Sequence, residues 1–155
     1  MKLLFKQRAF SWFDSYDIYD EMGNTIFTVK GKLAWGHRLE IYNSYGDHIA
    51  TLNEKVLTFL PKFEIYIGDN YVGQIVKEFS LFRPSFSIDF NGWQVEGDFF
   101  QWDYQIMYGN FVVATIQKEL FNWTDTYTID VQNPNDALSA LLVTLAIDAV
   151  KCSQK

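Results

Sequence analysis

The chain has 155 residues, of which 48% are hydrophobic and 18% aromatic, so it is long enough to bury a large core. Its formal net charge of −6 at pH 7 disfavours nucleic acid as a partner, because nucleic-acid binding depends on neutralising phosphates with Lys and Arg. Cys152 is the only cysteine, which excludes an intrachain disulfide and a multi-cysteine metal site.

The amino-terminal segment 2–8 predicts the first strand. It carries charge too early for the apolar region of a signal peptide, so we expect a cytoplasmic protein, with peripheral attachment to a membrane as an alternative. Basic residues alternate along this segment and again along 30–32, and together they predict a patch that faces an anionic membrane. The members of this predicted basic patch are Lys2, Lys6, Arg8, Lys30 and Lys32. We favour the simpler interpretation that they are solvated surface residues.

A repeat marked by isoleucine runs along most of the chain. Its six isoleucines are Ile18, Ile41, Ile65, Ile88, Ile106 and Ile129, separated by 23, 24, 23, 18 and 23 residues. Two positions before each isoleucine stands a large apolar or aromatic residue. Six positions before each stands an aromatic residue, namely Trp12, Trp35, Phe59, Phe82, Phe100 and Trp123. Since even spacings place side chains on one face of an extended strand, each copy predicts a strand with these positions facing the core.

Glycine and asparagine follow each of the first five copies and predict tight turns, because both residues tolerate positive φ. A second strand is predicted after each turn, over residues 25–30, 48–53, 71–77, 93–96 and 111–118. Together with the strand at 2–8, these segments make twelve strands. We expect the first strand to pair with the last, because closure of the sheet removes exposed strand edges.

After Ile129 the pattern changes from strand to helix. Asn133 and Pro134 are typical of a helix start, and we predict a helix at about 135–151. This helix is apolar on almost every side, so it must be buried, yet it is too short to span a bilayer, which takes about 20 apolar residues. We therefore predict no transmembrane segment. A barrel of twelve strands is wider than its own side chains fill, so the helix fits inside it.

The sequence thus predicts a mainly β fold, in which about twelve strands form a closed antiparallel barrel around a hydrophobic C-terminal helix. We interpret residues 1–155 as a single domain of this kind. The order of segments resembles the LURP-one-related (YxjI-like) family, through Tyr-Asp-Ile-Tyr-Asp at 16–20 and the segments 57–66, 82–88, 96–99, 123–127 and 145–148. The resemblance implies the tubby C-terminal-like fold, which phospholipid scramblases share. It also implies a role in phosphoinositide binding or in lipid movement at membranes.

Two residues are candidates for a ligand or structural polar site. Asp148 lies in the apolar helix, where a carboxylate is costly unless it is paired or hydrogen-bonded. It either senses a ligand or proton, or fixes the helix against the barrel. Arg83 stands beside an aromatic residue, and it either holds a phosphate or carboxylate or pairs with Asp148 or Glu96. We favour the structural interpretation for both.

The remaining polar residues form no motif of a catalytic or metal site. Glu96, Asp98 and Asp125 lack the spacing of a calcium loop, and His37 and His48 lack that of a zinc protease. A nucleophile elbow, a phosphate-binding loop and a dinucleotide fingerprint are also absent. The sequence therefore predicts no catalytic residue, no cofactor and no metal.

We expect from this pattern a non-enzymatic binding or adaptor domain, which acts at an anionic lipid surface or on a protein partner. The alternative is a barrel that binds a small molecule or lipid. An enzyme is the least supported of the three.

Overall fold

The computed structural model describes residues 1–6, 15–34, 36–79, 85–119 and 126–153. Within these ranges there are twelve β-strands, one 3-10 turn and one α-helix. In chain order these are β1 (Lys2–Lys6), β2 (Ser15–Tyr19), β3 (Thr25–Ala34), β4 (Gly36–Asn43), β5 (His48–Glu54), β6 (Lys62–Ile67), β7 (Asn70–Glu78), β8 (Ser85–Asp89), β9 (Gln94–Asp98), β10 (Asp103–Tyr108), β11 (Phe111–Glu119), β12 (Thr126–Val131), the 3-10 turn Pro134–Asp136 and α1 (Ala137–Ser153).

All twelve strands belong to one antiparallel sheet that bends into a nearly closed barrel. Apart from β8 and β9, strands that are consecutive in sequence pair with each other, and β1 pairs with β12 from Lys2 opposite Asp130 to Lys6 opposite Thr126. The predicted mainly β barrel around a C-terminal helix is confirmed, including the pairing of the first strand with the last.

The repeat isoleucines line the interior of this barrel. Five of the six are fully buried, and Ile88 is half-buried and packs against the same core. The residues two positions earlier share this face, and Leu39, Phe63, Tyr104 and Tyr127 among them are buried. Period-2 alternation along the strands therefore sorts core from surface as the repeat predicts.

The aromatic residues six positions before the isoleucines depart from this rule. Phe59 and Phe100 lie in connections ahead of β6 and β10, and both side chains are exposed. The prediction that they face the core is wrong, because the strands begin three residues later and even spacing has no meaning outside an extended segment. Trp12, Trp35, Phe82 and Trp123 lie outside the described residues.

The helix α1 is enclosed by the sheet. Asn133 begins the preceding 3-10 turn, and its side-chain oxygen accepts a hydrogen bond from the Asn135 amide at 3.0 Å. Every residue from Ala140 to Val150 is buried, on all sides of the helix. The helix predicted at about 135–151 is observed at Ala137–Ser153, because the first residues form the 3-10 turn instead.

The two ends of the barrel differ in their connections. Because neighbouring strands are antiparallel, every connection from an even-numbered to an odd-numbered strand lies at one end, together with the turn into α1. This turn end contains residues 20–24, 44–47, 68–69, 90–93, 109–110 and 132–136. The opposite end, the loop end, contains the described connections 55–61 and 99–102.

Among the described strands, β8 and β9 are the consecutive pair that no backbone ladder joins. The strand order of the sheet begins at β8 and ends at β9, although only residues 90–93 separate them in sequence. The other described tight turns connect paired strands: β2 with β3, β4 with β5, β6 with β7 and β10 with β11. The boundary between β8 and β9 is called the seam below.

Gly73 allows β8 to approach β7 closely beside the seam. A Cβ atom at this position would lie 2.0 Å from the backbone oxygen of Asp89 and 3.0 Å from the Phe90 Cβ. We expect Gly73→Ala to lower the free energy of unfolding by about 3 kcal/mol, since overpacking forces backbone shifts.

The matched control is Gly109→Ala, where φ is +57° and no atom lies within 4 Å of the added Cβ. Its cost should be about 1 kcal/mol, which reflects the left-handed backbone alone. Urea unfolding measures both values, and equal costs for the two variants would contradict the close approach of β7 and β8.

Candidate functional site

Three polar groups lie close together in the barrel interior. Tyr104 on β10 is buried against Thr144 and Asp148 of α1, which are also buried. The Thr144 hydroxyl donates to the Ala140 carbonyl at 2.9 Å. Burial raises the pKa of the Tyr104 phenol far above its ordinary value; Thr144 counteracts part of this rise, and the charge of Asp148 adds to it. The Tyr104 oxygen makes no hydrogen bond of acceptable geometry in the structure as described.

The structural interpretation of Asp148 stays a prediction. Asp148 is enclosed with the last turns of α1, as the apolar sequence around it predicts. Arg83, the other candidate of the polar site, lies outside the described residues, so its pairing with Asp148 stays a prediction. Glu96, the other suggested partner of Arg83, is exposed on β9.

The outer face of β4 to β6 carries a repeated pair of glutamate and tyrosine. Tyr42 donates to Glu40 at 3.0 Å, and Tyr66 donates to Glu64 at 2.6 Å. Each glutamate also meets a cation, Arg38 at 3.1 Å from Glu40 and Lys55 at 3.2 Å from Glu64. Both carboxylates are largely shielded from solvent.

Glu64 is the network carboxylate with the clearest electrostatic signature. Burial works to raise its pKa, but hydrogen bonds from Tyr66 and Lys55 and the charges of Lys55 and Lys62 outweigh burial. The pKa of Glu64 is therefore held below its ordinary value. The hydrogen bond to Glu64 and burial in turn raise the pKa of Tyr66. The Tyr66 phenol therefore stays protonated and keeps donating its hydrogen bond to Glu64.

Of the two histidines, only His48 belongs to this outer face, because His37 shares the strand face of the buried Leu39 and Ile41. His37 contacts the Glu54 carboxylate through Nδ1, while His48 stacks on the Tyr42 ring and lies 2.8 Å from the Thr51 hydroxyl. They occupy different strands and do not converge. Over the parts of the chain that the structure describes, no three His, Cys, Asp or Glu side chains are grouped to hold a metal ion.

Large apolar side chains project from the loop end. In the connection 55–61, Leu57 is 100% exposed and Phe59 is 92% exposed. Phe79 and Phe100, which also lie at this end, are 71% and 56% exposed. We call these four residues the apolar tip.

The tight turns at the opposite end carry a different chemistry. They contain five carboxylates and no Lys or Arg; the five are Asp20, Glu21, Asp47, Asp69 and Asp136. The loop end has lysines close to the apolar tip, namely Lys55, Lys62 and Lys77. The loop end also has carboxylates beside the apolar tip, Glu54, Glu78 and Asp98, so charges of both signs meet there, whereas the tight turns carry carboxylates alone.

The predicted basic patch is only partly described. Lys2 lies at the turn end of β1, whereas Lys30 and Lys32 lie on β3 with β2 between. Lys30 opposes Ser15 and its Nζ sits 4.5 Å from the centre of the Tyr42 ring. Leu4 pairs with Tyr19, so Lys2 lies level with residue 21, just beyond β2. Residue 21 is about 20 Å from Ser15, the partner of Lys30, at about 3.3 Å per residue. Lys2 and Lys30 are therefore far apart along the strands. The Lys6 side chain and Arg8 lie outside the described residues, so the patch stays a prediction.

Comparison with known proteins shows the family of this chain. The sequence model of the LURP-one-related family matches residues 1–148. The chain belongs to the LURP-one-related family. The LURP-one-related chain is 28% identical to the uncharacterized protein YxjI of Bacillus subtilis (strain 168) over 151 residues, which cover 97% of this chain and 93% of YxjI.

A solved structure supports the fold of this LURP-one-related chain. An X-ray structure of a protein from Arabidopsis thaliana superposes with a TM-score of 0.66, covering 96% of this chain and 90% of the plant chain at 16% identity. A likeness at this identity concerns the fold alone. The twelve-stranded barrel is compatible with the tubby-like architecture that the resemblance implied.

Two features of this family member escaped sequence reasoning. The Glu-Ile-Tyr triplet recurs at 40–42 and 64–66, and this recurrence is the signal from which the paired glutamate–tyrosine contacts were predictable. The apolar tip is the second feature, since the repeat predicts that Phe59 and Phe100 face the core. Its signal was Leu57 and Phe59 beside Pro61, because proline and nearby polar residues interrupt a strand.

The lowered pKa of Glu64 predicts a change in acid stability. A carboxyl group with a depressed folded-state pKa contributes stability above its unfolded pKa, and that contribution is lost as pH falls through the folded value. In Glu64→Gln, the free energy of unfolding should be lower than in wild type near pH 7, and the difference should shrink as pH falls below about 4.5.

Urea unfolding at several pH values measures this effect, with the exposed Glu21→Gln as the matched control. The control should follow the wild-type curve throughout. A Glu64→Gln curve parallel to wild type from pH 7 to about pH 3 would contradict the depressed pKa.

Proposed function

We propose that this protein is a non-enzymatic binding domain that attaches to an anionic membrane surface through its loop end. The apolar tip is the observation that carries the proposal. Leu57 and Phe59 are large, almost completely exposed and separated by one residue in the connection 55–61, and a group of exposed apolar side chains is typical of an interaction surface.

The connection 55–61 holds these side chains outward in a defined conformation. The Lys55 amide donates to the Lys62 carbonyl at 2.9 Å, and the Thr58 hydroxyl lies 2.7 Å from the Leu60 carbonyl oxygen. Leu57 has a φ of +64°, an uncommon conformation for a bulky residue that costs about 1–2 kcal/mol. A conformation maintained at this cost with its side chain in solvent supports a role in contacting an apolar phase.

The distribution of charge supports one orientation on the membrane. The carboxylates of the turn end would be repelled by anionic lipid, so that end faces away. Lys62 and Lys77 flank the apolar tip and would lie at headgroup depth when the tip enters the acyl boundary. An adaptor role on a protein partner would use the same tip; Lys62 and Lys77 favour anionic lipid, whereas Glu78 and Asp98 beside the tip act against it.

The barrel interior gives less support to the alternative of an internal small-molecule or lipid site. Its axis is occupied by α1, whose residues from Ala140 to Val150 are all buried. A ligand on the axis would have to displace side chains of the core. The surface at the loop end requires no such rearrangement.

Leu57→Ser combined with Phe59→Ser tests the proposal. Each large side chain contributes roughly 1.5–3 kcal/mol when it leaves water, so the double variant should bind vesicles at least about tenfold more weakly than wild type. The measurement is a titration with vesicles of phosphatidylcholine and phosphatidylserine, read by sedimentation. Added salt should weaken wild-type binding, because screening reduces the attraction of lysines to lipid.

The matched control substitutes serine for exposed residues of the turn end. Met22 and Tyr45 are 86% and 89% exposed, and Met22→Ser with Tyr45→Ser should bind as wild type does. Absence of wild-type binding to these vesicles would reject the membrane role in favour of a protein partner. Equal loss in both double variants would show that the tip has no special part.

A further inference from the structure

Two tight turns of the turn end share one pattern of hydrogen bonds. In 20–24, the Asp20 carboxylate accepts from the amides two and four residues later, at 2.9 and 2.8 Å. In 43–47, the Asn43 side-chain oxygen accepts from the corresponding amides, at 3.0 and 2.9 Å. Glycine stands fourth in each turn, with φ of +84° and +85°. The two turns therefore hold their third residue in equivalent positions.

That third residue is a large side chain in solvent. Met22 and Tyr45 occupy the position, and both are almost fully exposed. The next tight turn along the sheet is 68–69, and about half of Tyr71, just after it, is exposed. Neighbouring strands lie about 4.8 Å apart and each hairpin spans two of them, so successive turns are about 10 Å apart. The turn end thus presents three exposed side chains in a row at regular spacing.

The same three turns carry carboxylates and lack Lys and Arg. We call this row the acidic rim, which consists of Asp20, Glu21, Met22, Tyr45, Asp47, Asp69 and Tyr71. Lys2 lies level with residue 21 and marks one margin of the rim. A group of exposed apolar side chains indicates an interaction surface, and the carboxylates among them select a partner that carries cations.

Two other occupants fit the acidic rim poorly. Anionic lipid would be repelled by its carboxylates. A second copy of this chain would offer its loop end, where lysines stand beside the apolar tip. Glu54, Glu78 and Asp98 at that end would then face the carboxylates of the rim, which opposes the contact. The charges therefore favour a basic segment of a different protein.

The backbone of the turns constrains the conformation of that segment. In 20–24 and in 43–47, four of the five amides donate within their own turn. A segment bound here has to satisfy its own backbone groups, as an α-helix does. Seven residues of helix rise about 10.5 Å and return to nearly the same face, which matches the spacing between turns.

We propose that the acidic rim binds a helical segment of a partner protein that carries Lys or Arg at every seventh position. Its cations lie over the carboxylates of successive turns, while apolar residues three and four positions later pack on Met22 and Tyr45. The rim is at the opposite end of the barrel from the apolar tip, so the proposal stands independently of membrane binding.

The probe is an alanine-based helical peptide of about 18 residues, with arginine at every seventh position and leucine three and four positions after each arginine. It should bind the full-length chain saturably in fluorescence anisotropy at about 0.15 M salt, where exposed charges are screened beyond about 8 Å. A peptide of the same composition with arginine at every fifth position distributes its cations around the helix. That peptide should bind at least about tenfold more weakly, although its net charge is identical.

Two double variants of unchanged charge locate the peptide on the barrel. Met22→Ser with Tyr45→Ser should weaken the peptide at least about tenfold, because the apolar contacts are lost. Leu57→Ser with Phe59→Ser, the matched control at the loop end, should bind it within about twofold of wild type. In NMR spectra, the peptide should shift the amide signals of 20–24, 43–47 and 68–71.

The same variants separate this proposal from the membrane role, because the loop-end pair should lose vesicles and the turn-end pair should lose the peptide. Absence of peptide binding, equal binding of the two arginine peptides, or indifference to Met22→Ser with Tyr45→Ser would each overturn the proposal. Sedimentation velocity of the protein alone tests the second copy as occupant. Self-association that disappears in the turn-end variant would assign the rim to that copy and overturn the partner helix.

Discussion

The enclosure of an apolar helix by a single sheet is the constraint on which the rest of this structure depends. Residues Ala140–Val150 are buried on every side of α1, so the sheet must surround them. At roughly 1.5–3 kcal/mol for each large aliphatic side chain, this burial is comparable to the whole net stability of a typical domain, about 5–15 kcal/mol. The isoleucine repeat supplies the complementary surface, with a buried isoleucine on five of the six even-numbered strands and the partly buried Ile88 on the sixth, β8.

The functional surfaces follow from how the sheet surrounds this helix. An antiparallel meander puts tight turns at one end and longer connections at the other, so the two ends acquire different chemistry: carboxylates at 20–24 and 44–47, apolar side chains at 55–61. The seam arises where the spacing between repeat isoleucines falls to 18 residues, from Ile88 to Ile106, against 23 or 24 elsewhere. The strands there are short, and aromatic contacts replace hydrogen bonds.

The core was predictable because it obeys local periodicity, as Ile18 and Ile41 illustrate. The start of the helical segment was also predictable from local sequence, because Asn133 and Pro134 act through their own backbone geometry. The exposed positions of Phe59 and Phe100 were not, because strand ends depend on tertiary pairing rather than on residue spacing. The unpaired edges of β8 and β9 were equally hidden: Asn91 and Gly92 predict a tight turn, but whether the flanking strands pair is decided by the packing of Phe90 and Trp93.

Leu142→Asp tests the enclosed helix most directly. Leu142 is completely buried in the middle of α1, whereas Ser139 in the first turn is half-buried, so Ser139→Asp is the matched control on the same helix. A carboxylate without a partner at position 142 should cost several kcal/mol, enough to remove most of the net stability. Thermal unfolding followed by circular dichroism should show no cooperative transition for Leu142→Asp and a wild-type transition for Ser139→Asp. A soluble Leu142→Asp protein that unfolds cooperatively at the wild-type temperature would contradict the account.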